Sequence, residues 1–316
     1  MRSLQYSPFL HSKMSMYSGY LPMSLLFFIL FLGISNYLTI NQIALSPVIN
    51  QAAPLRSFSE RDSIQADRVI QYPSSSQNSL PVYTDEEKRL RIEALKRVEA
   101  DRRGVLEMSK GTDHKLFYRS VKLGALCRNN ERIGAKGDGG KQACNVKAVR
   151  KDQCTLVSLG LHNQIDYDIA IHKATGGHCK ILGVDKSDQN AKTKDTYSKI
   201  NGQLFVGMIP TEISLPDMLK QAGRNEVDLL KIDIEGGEFT GLEPLIKDYL
   251  VCQIMIEIHG TPAEHLSLLR IITNNGFRIF NVEPNPFCGK CCEYSLINEL
   301  CMTQYGAIPL GNTIPN

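Results

Sequence analysis

The sequence predicts an α/β fold built on a mostly parallel sheet with an antiparallel edge, and three observations predict it. Short apolar runs, residues 154–160, 179–185 and 227–232 among them, have the length and hydrophobicity of strands buried on both faces. Stretches of helical spacing lie between them through residue 276, as the crossovers between parallel strands require. Beyond Gly276, the runs 277–282 and 293–298 are separated only by a Pro- and Cys-rich turn, the pattern of a hairpin-like pair.

With 316 residues, 42% of them apolar, the chain can hold one substantial domain plus appendages. A net charge of +3, with no basic block interleaved with aromatics, excludes nucleic acid as an expected partner. No residue from 14 to 55 is charged, and the window 21–40 contains Leu25-Leu-Phe-Phe-Ile-Leu-Phe-Leu-Gly-Ile34. At about 1.5 Å per residue such a helix crosses the roughly 30 Å hydrocarbon layer of a bilayer. Residues 21–40 are therefore expected to be a single-pass transmembrane signal anchor. Arg2 and Lys13 precede it, which makes 1–20 a cytoplasmic tail and places the rest in the lumen of the endoplasmic reticulum or Golgi, a type II arrangement. A cleaved signal peptide and a secreted product is the competing reading, because Ser35 and Asn36 interrupt the apolar run. Residues 41–82, with Pro47, Pro54, Pro73, Pro81 and Ser74-Ser-Ser76, read as a flexible stem. Residues 83–316 remain as the folded domain, with a core at about 113–316.

In an oxidising compartment nine cysteines read as disulfides sooner than as metal ligands, with one left over. Cys288, Cys291 and Cys292, with Cys301, Cys127 and Cys144, lack clean zinc spacing and suit staples around an irregular loop. Cys154, Cys179 and Cys252 sit inside apolar strand candidates and are expected to be buried thiols. No metal site is expected.

In chain order, Thr84-Asp-Glu-Glu87 is a capping-box pattern opening an amphipathic helix to about Ser109. The segment from Arg132 to Gly140 is glycine-rich without the Gly-Lys-Ser/Thr of a phosphate-binding loop. Strand 154–160 ends in Gly160 and leads into a helix over 165–174. The next strand ends in Asp185, 25 residues after Gly160, where a carboxylate can accept hydrogen bonds from two ribose hydroxyls. A strand at 203–207 and a helix at 215–222 follow. Strand 227–232 then ends abruptly in Asp233, Glu235 and Glu238, with Gly236 and Gly237 allowing a tight turn. Ligands of open α/β sheets bind just outside such strand ends, so these acids are expected to face a cleft. After a helix at 242–249, strand 252–259 ends in Glu257 and His259. His259 is the one histidine at a strand's carboxyl end and the first candidate for a general base. A helix over 262–275 stops at Gly276.

The segment Asp228-Leu-Leu-Lys-Ile-Asp-Ile-Glu-Gly-Gly-Glu-Phe239 resembles the signature of FkbM-type S-adenosylmethionine-dependent methyltransferases, in particular their animal methyltransferase-like branch. Arg132, Gly134, Asp138, Gly139 and Gly140 match a second segment of that branch, with Lys141 where an aromatic residue is usual. Glu293-Tyr-Ser-Leu-Ile-Asn298 matches a third. The resemblance spans roughly the last 200 residues, the size of one domain. It implies a Rossmann-like seven-stranded methyltransferase sheet and S-adenosylmethionine as cofactor. Ser158 and Gly160 would meet the donor's methionine end, Asp185 its ribose, and Asp233 would stand beside the reacting centre. Asp168 is the nearest equivalent of an acid the branch carries at the following helix start. Asp233, Glu235 and His259 are the candidate catalytic residues, assisting loss of a proton from a hydroxyl of a small-molecule or glycan acceptor. Two other readings compete. One is a Golgi-type glycosyltransferase using Asp233-Ile-Glu235 as an acid-x-acid metal element. The other is a catalytically inactive methyltransferase fold that binds a partner, suggested by the sparse glycines after Ser158.

Overall fold

The apolar runs become the strands of one seven-stranded sheet in the computed structural model, which describes residues 83–136 and 139–316. The predicted tail, anchor and stem, and Asp138, lie outside the described residues. Among the described residues no helix is long and apolar enough to cross a membrane.

Helix α1 (Asp85–Ser109) opens with the expected capping box, Thr84 accepting from the Glu87 amide while the Glu87 carboxylate accepts from that of Thr84. Helix α2 (His114–Ser120) leads to a short strand β1 (Ala125–Cys127) and the hairpin β2 (Asn130–Ile133) and β3 (Lys141–Cys144). The main fold then alternates: β4 (Thr155–Leu159), α3 (Asp166–Ala174), β5 (Lys180–Asp185), α4 (Ala191–Lys199), β6 (Gly202–Val206), α5 (Leu215–Gln221), β7 (Glu226–Ile232), α6 (Glu238–Asp248), β8 (Leu250–His259) and α7 (Pro262–Asn274). Strands β9 (Phe277–Pro284) and β10 (Cys291–Asn298), a short α8 (Met302–Tyr305) and β11 (Ala307–Pro309), which pairs with β1, complete it.

The strand order is β6-β5-β4-β7-β8-β10-β9. The first five strands are parallel, and β10 runs antiparallel to both β8 and β9, as the hairpin pattern predicts. Because the chain steps from β4 outward to β6 and then returns to β7, the order reverses between β4 and β7. A crevice therefore opens at their carboxyl ends. Both sheet faces are covered, and Leu229 and Leu230, adjacent on β7, enter opposite apolar clusters.

Four disulfides join Cys127 to Cys144, Cys154 to Cys179, Cys252 to Cys301 and Cys288 to Cys291, leaving Cys292 free and buried. The expectation of buried thiols at Cys154, Cys179 and Cys252 is thus corrected. Parallel pairing of Thr155 with Lys180 sets the residues before them side by side, Cα atoms 4.4 Å apart. Cys252 reaches Cys301 just beyond β10, the antiparallel neighbour of β8.

Candidate functional site

The site grows from the β4–β7 junction. Gly160 follows β4 with φ +76°, and a Cβ there would lie 1.7 Å from the Asp233 carbonyl oxygen. Only glycine permits this approach, which the Asp233 amide seals by donating to Leu159 O at 3.1 Å. Buried Lys231 donates to Gly160 O at 2.8 Å and holds the same turn from below. The turn and the ends of β5 and β7 enclose a cavity of about 770 Å³, whose lining includes Gly160, His162, Asp185, Met208, Asp233 and Glu235.

Asp185 is fixed by backbone: Oδ2 accepts from the His162 amide at 2.7 Å and Oδ1 from the Ser187 amide at 2.8 Å. Each oxygen keeps a second lone pair, so the carboxylate is pre-aimed and still able to accept hydroxyls. Asp233, Glu235 and His259 converge. His259 Nε2 lies 3.5 Å from Glu235 Oε2 and 4.0 Å from Asp233 Oδ1, and Glu235 sits in the left-handed region at φ +54°. Fully buried Glu238 accepts from the Gly236 amide at 2.8 Å and the His259 amide at 3.3 Å, and its Oε1 lies 3.5 Å from His259 Nδ1. Glu238, with help from Glu235 and Glu257, raises the His259 imidazole above its ordinary value against the opposing effect of burial.

On its other side Asp233 meets Lys141, which is 1% exposed. Lys141 Nζ pairs with Glu293, lies 3.4 Å from Asp233 Oδ2 and 3.5 Å from Glu257 Oε2. Burial pulls the ammonium down, but Glu293, Asp233 and Glu257 outweigh it and leave it raised. Three carboxyls around one ammonium cannot all ionise cheaply. Burial pushes Glu293 up to about 8 against the pull of Lys141, with Glu257 adding to the rise, so Glu293 is the carboxyl that holds a proton at neutral pH.

The cavity thus gathers Gly160, Asp185, Asp233 and Glu235 of the expected set. His259 stands outside the lining but against two residues that form it. Ser158 is wholly buried within β4 and does not reach the cavity wall. Asp168 is buried away from the cavity, and burial pushes it up to about 6 with Lys231 opposing. The glycine-rich segment is the turn of the β2–β3 hairpin: Arg132 braces it by donating to Ala135 O and Gly140 O while pairing with Glu283 at 2.8 Å, and Gly139 touches the cavity. The sequence reading missed the contact of Lys141 with Glu293, Asp233 and Glu257, and Glu238 as the partner of His259. The one visible signal was a lysine standing where an aromatic residue is usual.

Residues 124–279 match the family model of the methyltransferase FkbM domain. No curated protein matches the chain. Among solved structures, fibrillarin of Aeropyrum pernix in complex with natively bound S-adenosyl-L-methionine is 12% identical, with 54% of this chain and 83% of that one covered at a TM-score of 0.37. A SAM-dependent methyltransferase of Aquifex aeolicus is 15% identical, with 48% and 86% covered at a TM-score of 0.31.

Proposed function

The chain carries a methyltransferase FkbM domain, and from that premise we propose that it transfers a methyl group from S-adenosylmethionine to a hydroxyl oxygen. The observation that carries the reading is that Asp185 and Asp233, from different strands, line one cavity. Its volume, about 770 Å³, lies within the roughly 300–1,000 Å³ usual for small-molecule sites. The residues fit the donor: Asp185 presents acceptors suited to a ribose diol, and the Gly160 turn that borders the cavity holds the ends of β4 and β7 close together. The chemistry the donor supplies when bound is an electrophilic methyl on a sulfonium, displaced in line by an oxygen as the carbon–sulfur bond breaks.

The protein's own part is alignment and proton removal. The Gly160 turn keeps the ends of β4 and β7 together at the cavity's edge, Asp185 fixes one end of the ligand, and Met208, Ile209 and Ile234 supply apolar wall that limits water. Asp233, Glu235 and His259 surround the place where the hydroxyl proton must go, and Glu238 holds the imidazole ring so that Nε2 faces the two carboxylates. With the domain match, the glycosyltransferase reading is set aside.

The acceptor is a small molecule or a glycan, reached in the secretory pathway. Support for that compartment comes from the uncharged apolar window at 21–40 and from eight of nine cysteines being paired, the usage of an oxidising environment. The decisive experiment is calorimetric titration of S-adenosylmethionine into the purified chain and its Asp185→Ala variant. Binding that the substitution abolishes supports the reading, and binding that it leaves intact removes Asp185 from the site. A silent fold would take up no donor at all.

A further inference from the structure

We propose that Asp233 Oδ1, Glu235 Oε2 and His259 Nε2 form a three-ligand site for a divalent first-row cation, Mn²⁺ or Zn²⁺, at the acceptor end of the cavity. This inference rests on the methyl-transfer reading and specifies how the three groups act there: together through a cation rather than singly as bases.

Geometry comes first. The three ligand atoms all lie within 4.8 Å of one another, with Nε2 3.5 Å from Glu235 and 4.0 Å from Asp233. An ion with bonds of about 2.1 Å needs neighbouring ligand atoms roughly 3.0–3.5 Å apart, so modest side-chain rotation closes the set. Glu235 is 74% exposed at its side chain and free to make that movement. The division of Asp233 also suits the role, since its Oδ2 faces Lys141 and its Oδ1 faces His259.

The surroundings of His259 give an independent pointer. Nδ1 is buried and makes no hydrogen bond of normal geometry, while Oε1 of fully buried Glu238 stands 3.5 Å away. A histidine bound to a metal through one nitrogen characteristically gives its other N–H to a carboxylate, which fixes the tautomer and the ring plane. Glu238, itself anchored by the Gly236 and His259 amides, is that carboxylate.

Charge points the same way. Asp233, Glu235, Glu238 and Glu257 gather around one ammonium, Lys141, and one imidazole, and Glu238 and Glu257 are buried. Buried negative charge in excess calls for a counter-cation. Two carboxylates with one imidazole favour Mn²⁺ or Zn²⁺ over the all-oxygen preference of Mg²⁺ and Ca²⁺. Cys291 lies near His259 and Glu257 but is held in the Cys288–Cys291 disulfide and offers no thiolate. Because Asp233 and Glu235 line the cavity, the remaining coordination positions face it. A hydroxyl bound there loses its proton to water more readily than a free one, and the acceptor class becomes one whose reacting hydroxyl can reach a cation.

The test uses the full chain, stripped with chelator and titrated with Mn²⁺ alone, read by loss of the free-ion electron paramagnetic resonance signal and by calorimetry; Zn²⁺ is titrated in parallel. The expected result is one ion per chain, weakened at least tenfold by Glu235→Gln and by His259→Ala, and unchanged by Asp185→Ala. Glu238→Gln should weaken binding by about ten- to a hundredfold, the usual effect of losing an outer partner. No stoichiometric uptake of either ion, or uptake indifferent to both Glu235→Gln and His259→Ala, overturns the site. Exposed Glu235 keeps the test valid should the His259 variant fail to fold. Donor binding without ion binding overturns this inference alone, whereas ion binding without donor binding sustains the cation site and defeats the donor assignment.

Discussion

Replacing Gly160 by alanine should damage both stability and ligand binding, and the structure gives the size of each effect. The new Cβ would lie 1.7 Å from the Asp233 carbonyl oxygen, whereas such contacts do not fall below 3.0 Å, so the ends of β4 and β7 must part by more than an ångström. A left-handed φ of +76° adds strain of about 1–2 kcal/mol for any residue with a Cβ. Forced separation of a packed backbone costs a further ~1–3 kcal/mol. The total, about 2–5 kcal/mol, corresponds to a fall in melting temperature of roughly 10 °C for a domain of this size. Displacing Asp233 by about an ångström should lower turnover about a hundredfold. Thermal unfolding and calorimetric titration of the donor measure both. Two control substitutions separate strain from contact. Gly236→Ala, at φ +105° with open space around the Cβ, should cost only the strain. Gly104→Ala, half-buried within α1 and likewise unobstructed, should stabilise by about 0.5–1 kcal/mol. A Gly160→Ala protein with an unchanged melting temperature and undiminished donor affinity would refute the close β4–β7 junction.

Other predictions follow from the same packing. Converting both Cys154 and Cys179 to serine opens a loop of 25 residues and should cost about 3 kcal/mol, measured by urea unfolding. His265 is fully buried, with Nε2 3.1 Å from the Lys290 carbonyl and Nδ1 3.1 Å from the Tyr294 hydroxyl. Since a carbonyl only accepts, Nε2 carries the proton and the ring is neutral, and burial holds its pKa down to about 4. The unfolded chain therefore binds this proton first. Stability should fall as pH drops from 6.5 to 4, by about 3 kcal/mol in total, and His265→Phe should flatten that slope in denaturant titrations. Lys141→Met strands the facing carboxylates and should cost roughly 3–5 kcal/mol. Glu293→Gln replaces a group that already holds a proton and should cost under about 1 kcal/mol at pH 7; equal costs for the two variants would contradict the assigned charge states.

Much of the sheet was legible because its strands are buried on both faces and read as unbroken apolar runs, and Asp185 and Asp233 were legible because each follows such a run directly. Helix α4 left no comparable trace: among its nine residues only Thr193 and Tyr197 are buried, so no apolar stripe marks it. The hairpin strand Asn130–Ile133 is largely exposed and polar, and its pairing with Lys141–Cys144 is what turns a glycine-rich loop into a structured edge of the site. Ser158, expected at the donor's methionine end from its proximity in sequence to Gly160, is wholly buried within β4 and outside the cavity lining. The helix expected from Leu242 begins a turn earlier, at Glu238, whose carboxylate turns inward to His259 instead of remaining solvated. Convergence of Lys141 with Asp233, Glu257 and Glu293 depends on β3 lying against β10, which Ser295 secures by donating to Gln142 O at 2.8 Å. Residues 92 to 152 positions apart meet there, a separation that no local pattern encodes.

The most direct measurement is the heat of S-adenosylmethionine binding to the purified chain, compared with Asp185→Ala. One donor bound per chain, with affinity lost on removing that carboxylate, is the predicted result. No heat from the intact, folded protein would contradict the assignment of this cavity to a methyl donor.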